Sequence, residues 1–108
     1  MITLTCPYLG GCVELTEERL EHIRQRHPDL LPGYWECIAE TLKEPDQVRR
    51  SVRMDTARLF VRWFENLSGG KHVVVVVVSD RETTQRNWII TAYLARKLAG
   101  GNVEWTRG

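Results

Sequence analysis

The stretch Lys71-His72-Val73-Val74-Val75-Val76-Val77-Val78-Ser79 holds six consecutive valines. β-Branched side chains favour the pleated, extended backbone. A strand with no polar face cannot lie against water on one side, so the run predicts a central strand covered on both faces. It is also far shorter than the roughly 20 apolar residues needed to cross a bilayer. Working outward, Gln47 to Arg53, Ala57 to Glu65 and Arg86 to Leu94 share the same β-branched and aromatic character. Met54-Asp55-Thr56, Ser68-Gly69-Gly70 and the polar loop Asp80 to Gln85 separate them. Connections this short favour an antiparallel meander. A helical turn over Ala95 to Ala99 and a last strand over Asn102 to Thr106 complete this half.

Upstream, Gly10-Gly11 lies between Ile2 to Thr5 and Cys12 to Leu15, which reads as a short β-hairpin. Thr16 then caps a helix, with Glu17 and Glu18 at the positive end of its dipole and Leu15 stapling onto Leu20. Pro28 disfavours helical geometry in the residue before it, which ends the helix near His27. A second helix is expected from Pro32 to Leu42, with Trp35, Ile38 and Leu42 on one face. The expected fold is one α+β domain over residues 1–108. Two N-terminal helices pack on an antiparallel four- to five-stranded sheet, and a short β-hairpin precedes them.

Of 108 residues, 15 are Lys or Arg and 14 are Asp or Glu, with 43% hydrophobic, the composition of an ordinary globular domain. The charge is uneven, with a balance of −5 over residues 1–47 and +6 over the remainder. A basic half beside an acidic one suits a surface that meets a polyanion, unless the halves interleave in space. Neither a membrane span nor a secretory leader is visible, so a cytoplasmic location is expected. Cys6, Cys12 and Cys37 are odd in number and lack a zinc-ligand spacing, and are expected to be reduced packing residues.

Alternation divides Ala57 to Phe64 into Leu59, Val61 and Trp63 on one side and Arg58, Phe60, Arg62 and Phe64 on the other. Arginine binds phosphate bidentately and aromatic rings stack on bases, so the second face suits single-stranded nucleic acid. Arg49 and Arg53 on the neighbouring strand extend it. In the plainer reading these arginines solubilise an open face and lay their stems over apolar neighbours. On the strand Arg86 to Leu94, Trp88, Ile90, Ala92 and Leu94 read as core. Asn87, Ile89, Thr91 and Tyr93 then face outward, with two hydroxyls able to hold a phosphate or merely to favour strand.

Three histidines occur, His22, His27 and His72, and imidazole is the side chain that exchanges protons near neutrality. His27 falls on the apolar stripe with Leu20 and Ile23, whereas His22 points away from it. Either one reads equally as a structural or surface residue. No nucleophile elbow, phosphate-cradling glycine loop or Cys/His metal set appears, which argues against a protease, kinase or metal hydrolase.

Several segments in order resemble phage and bacterial members of the barnase, EndoU, colicin-nuclease and RelE-like superfamily. They are Leu15-Thr16, Leu20-x-His22-Ile23, His27-Pro28-Asp29-Leu30, Ile38 to Val48, Leu59-Phe60-x-Arg62, the valine strand and Trp88-Ile89-Ile90-Thr91-Ala92-Tyr93-Leu94. The resemblance implies metal-independent endoribonuclease activity, toxin-like or phage-derived, without cofactor. A ribose 2'-hydroxyl attacks the adjacent phosphate and leaves a 2',3'-cyclic phosphate. It further implies His22 or His27 as general base or acid, Arg62 neutralising the phosphorane, Thr91 and Tyr93 positioning the phosphate, and His72 or Tyr93 as the second proton-transfer group. Arg49, Arg53, Arg58, Phe60 and Phe64 would bind the RNA. An antitoxin or immunity protein is a further expected partner. The alternative is a non-catalytic module that binds RNA or protein through the same sheet face.

Overall fold

A computed structural model describes residues 1–80 and 85–108. The middle of the expected Asp80 to Gln85 loop, 81–84, lies outside the described residues. In chain order the elements are β1 (Ile2–Cys6), a 3₁₀ turn (Pro7–Leu9), β2 (Gly11–Leu15), α1 (Glu17–Arg26), α2 (Trp35–Lys43), β3 (Gln47–Arg50), β4 (Ala57–Phe64), β5 (Lys71–Asp80), β6 (Arg86–Ala95) and β7 (Asn102–Thr106).

All seven strands belong to one sheet, ordered β1-β2-β6-β5-β4-β3-β7. This corrects the expected four- to five-stranded antiparallel sheet with a separate hairpin. The strands are mixed in direction, because β2 runs parallel to β6 through the pair Glu14 and Trp88. Arg86 clamps the junction with a bidentate pair to Glu14. Short-range turn signals reveal the β1–β2 hairpin, but they say nothing of a partner some 70 positions away. The last strand, likewise, returns to the far edge and pairs with β3.

The valine strand is central, as its composition requires. Val73, Val75 and Val77 are buried beneath the helices, in one core with Ile23, Ile38, Leu42, Val48, Phe60, Ile89 and Ala92. α1 begins where Thr16 accepts a hydrogen bond from the Arg19 amide, and its capping residue is His27. α2 starts at Trp35, three residues after Pro32, and ends at Lys43.

Two features set the opposite face. The segment after β6 is irregular rather than the expected helical turn. It carries Lys97, Leu98 and Ala99 over Leu59, Val61, Val74 and Tyr93 on its way to β7, leaving a cavity of about 70 Å³. Val61 and Val74 are therefore buried on a face that would otherwise be open. Second, β6 bulges: Val76 pairs with Thr91 and Val77 with Ile89, so Ile90 is the extra residue. Trp88 thereby joins Thr91 and Tyr93 on the strapped face, and Ile89 joins Ala92 and Leu94 in the core. Strict alternation had put Trp88 in the core and Ile89 outside, because one inserted residue reverses every assignment beyond it.

Among the cysteines only Cys6 is buried; Cys12 is exposed and Cys37 half-buried, all with free thiols. Cys12 thus departs from the expected packing role.

Candidate functional site

The strapped face carries the first cluster of chemically capable groups. Register aligns Gln47, Val61, Val74 and Tyr93 in one row across four strands, and Arg49, Leu59, Val76 and Thr91 in the next. Beyond the Tyr93 row come Trp63, His72 and Ala95. α1 packs against β6, where Arg19 Nη1 approaches the Ile90 carbonyl at 3.5 Å. Its cap, His27, lies with ring centroid 5.9 Å from that of Tyr93. The helix end sits there because Pro28 stops α1 level with this part of the strand.

Both partners are half-buried. Burial raises the pKa of the Tyr93 phenol, which keeps it a hydrogen-bond donor through the neutral range. His72 lies diagonal to Tyr93 across the β5–β6 pair and meets Trp63 edge-on, with centroids 4.8 Å apart. Desolvation lowers its pKa, outweighing the nearby Asp46 carboxylate, and its buried Nδ1 has no hydrogen-bond partner among the described residues. Arg49 supplies a cation at the same face. Its Nε donates to Gln47 at 2.7 Å and its Nη1 to the Gly100 carbonyl at 3.0 Å, which also pins the crossing segment.

Of the residues expected to act together, His27, Thr91 and Tyr93 meet at this face and two others do not. His22 lies about 140° round α1 from His27, at roughly 100° per residue. Arg62 is on the helix side of the sheet, paired with Val73. Its Nη1 donates to the Glu44 carbonyl at 2.6 Å, its Cζ lies 5.7 Å from the Phe64 ring, and its buried Nε has no partner among the described residues. It therefore closes the C-terminus of α2.

The set expected to bind RNA is likewise divided. Phe60 is fully buried in the core, and Phe64 packs against it. Arg53 lies beyond β3 and is exposed. Arg49 shares its face with Leu59, so it does not extend the Arg58 side. The expected arginine and phenylalanine face is thus the one the helices cover. Alternation could not decide this, because both sides of β4 carry bulky apolar residues.

A second polar cluster, between elements remote in sequence, gave no local signal. Glu104 of β7 binds Arg58 Nε at 2.8 Å, Arg50 Nε at 2.9 Å and the Tyr8 hydroxyl at 2.5 Å. Burial would raise the pKa of its carboxyl, but the bonds from Tyr8 and Arg58 and the neighbouring guanidinium charge hold it at about 2. Arg58 is 5% exposed. Two clefts adjoin it, of about 510 and 500 Å³.

Among the described residues, no three His, Cys, Asp or Glu side chains gather in a set able to hold a metal ion. No described helix is long and apolar enough to cross a membrane. The family model of the phage-Barnase-EndoU-ColicinE5/D-RelE like nuclease2 matches residues 5–103. No curated protein and no solved structure matches the chain.

Proposed function

The chain belongs to the phage-Barnase-EndoU-ColicinE5/D-RelE like nuclease2 family, and from that membership and the strapped sheet face we propose that it is an endoribonuclease needing no metal. Membership makes it a nuclease with a nucleic-acid substrate. The choice of RNA, and of the 2'-hydroxyl route, rests on the groups at the face.

The observation that carries this reading is the contact of His27 with Tyr93, with Thr91 two residues along the same strand. In the reaction the ribose 2'-oxygen bonds to phosphorus and the bond from phosphorus to the 5'-oxygen breaks. A base takes the 2'-hydroxyl proton and an acid returns one to the departing oxygen, leaving a 2',3'-cyclic phosphate. An imidazole serves either step at neutral pH. Thr91 and the protonated Tyr93 donate hydrogen bonds to the phosphate, and Arg49 supplies positive charge on the same face. A ring with solvent on one side and a phenol on the other is placed to transfer protons and is held in orientation while doing so.

Incubating the protein with RNA in EDTA tests the proposal. The wild type should produce fragments ending in 2',3'-cyclic phosphate, and His27→Ala should lower the rate by about 10²- to 10⁴-fold. RNA left intact by the wild type, but bound in a salt-sensitive manner, would establish a binding module instead.

A further inference from the structure

Arg58 is the most deeply buried arginine described, and its head group opens onto two clefts. Its side chain is 6% exposed. Only Nε is bound, to Glu104; neither Nη has a hydrogen-bond partner among the described residues. The carboxylate it uses is shared with Arg50, which takes it through Nε and Nη2. Two guanidinium charges thus lean on one carboxylate. The Nη groups are not among the buried polar atoms left without a partner, so they stand at the cleft surface as donors held in place by the Nε bond, ready for an anion that enters.

The space for that anion exists. Arg58 lines both clefts, one with Tyr8, Leu9 and Asn87, the other with Ser79, Val78 and Trp88. Asp80 also lines both and has a partner of its own. The buried Ser79 hydroxyl donates to Asn87 Oδ1 at 2.6 Å, which leaves the Asn87 amide nitrogen as a further donor in a residue that lines the first cleft. Trp88 and Val78 belong to the strapped face, in the row beyond Thr91. The second cleft therefore wraps the strand ends and joins that face to the helix side. The Tyr93 and Trp88 rows are four residue steps apart on β5, roughly 13 Å at about 3.3 Å per residue.

We propose that the Arg58 cleft is a phosphate-binding subsite, in which the two Nη groups and the Asn87 amide grip a phosphate remote from the one being cleaved. This deepens the ribonuclease reading and rests on it for the identity of the strand. Planar, paired N–H donors match two phosphate oxygens. A strand laid over Thr91 and Trp88 and bent round the sheet end delivers its phosphate there.

The test uses the intact protein and needs no cleavage. Asn87→Asp keeps an acceptor for Ser79 and leaves the Arg58–Glu104 pair alone, while placing a repelling charge in the cleft. Arg58→Gln removes the grip, with near-UV circular dichroism reporting its fold. Inorganic phosphate, adenosine 5'-monophosphate and an uncleavable RNA bearing 2'-O-methyl groups are titrated separately. Wild type should bind RNA about tenfold or more tightly than Asn87→Asp, as expected for a charge-assisted contact. The slope of log affinity against log salt should fall by about 1. Loss of phosphate and mononucleotide binding with RNA affinity unchanged would assign the subsite to a free nucleotide. Equal binding of all three probes by wild type and Asn87→Asp, or no binding by either, overturns the proposal. An inactive wild type that still shows the Asn87→Asp effect would refute the ribonuclease reading and leave the subsite standing.

Discussion

Arg62 and Thr91 stand on opposite faces of one sheet, the former paired with Val73 on the helix side and the latter with Val76 on the face that Tyr93 shares. A single phosphorus atom cannot be reached by both. This separates the chemistry proposed for His27 and Tyr93 from the structural work of the arginine.

Arg62→Ala is accordingly expected to reduce stability and leave the chemical step alone. It removes a charge-assisted hydrogen bond to Glu44 and a contact with Phe64, worth on the order of 1–3 kcal/mol together. Thermal unfolding should show the drop. The cleavage rate of the folded variant, measured well below its melting temperature, should equal that of the wild type.

Tyr93→Phe tests the opposite case. The ring and its packing against His27 remain while the hydroxyl is lost, so stability should change little. The rate of RNA cleavage should fall about 10- to 100-fold if one phosphate donor is removed. Because burial raises the phenol's pKa, the alkaline limb of the wild-type pH profile due to loss of this donor should lie above that of an ordinary tyrosine.

Acid stability should depend on Glu104. Its folded pKa of about 2 lies below the ordinary 4.5, so its contribution is fully present above 4.5 and is lost as pH falls toward 2. After allowance for solvent screening this is on the order of 1–2 kcal/mol. Glu104→Gln should be less stable at pH 7 and should lose part of the pH dependence between 4.5 and 2. Urea midpoints at a series of pH values would check both.

Gly101→Ala should weaken the attachment of β7. Gly101 has φ +75°, and a Cβ there would stand 2.9 Å from the Arg50 carbonyl oxygen. The strain should cost roughly 1–3 kcal/mol. Hydrogen exchange should show it first in β7 and β3, with β5 protected for longest.

Most elements were legible where local chemistry decides them. Thr16 and Pro28 bracket α1, the valine run marks the sheet's centre, and Asn102–Thr106 forms the last strand as read. What escaped was non-local. The β2–β6 pairing and the return of β7 to β3 depend on contacts between distant segments, for which turn residues give no signal. The bulge at Ile90 reversed the faces of β6, and nothing in Trp88-Ile89-Ile90-Thr91 distinguishes it from unbroken alternation. At the proposed site, the sequence places His27 at the end of α1 and Thr91 and Tyr93 on one face of a strand, and the structure has them there. Arg62 was not legible, because whether an arginine faces solvent or a helix end depends on the layer above it. The Glu104 cluster was invisible, since its members are a lone acid, a tyrosine and two arginines from four separate segments.

The hydrogen bond from Tyr8 to Glu104 joins positions 96 apart. It fastens nearly the whole polypeptide into one ring, with α1, α2 and five strands threaded between its two ends. Neither end of such a ring gains its partner until everything between has found its place. The Tyr8 to Glu104 bond should therefore be among the last contacts to appear when the chain folds.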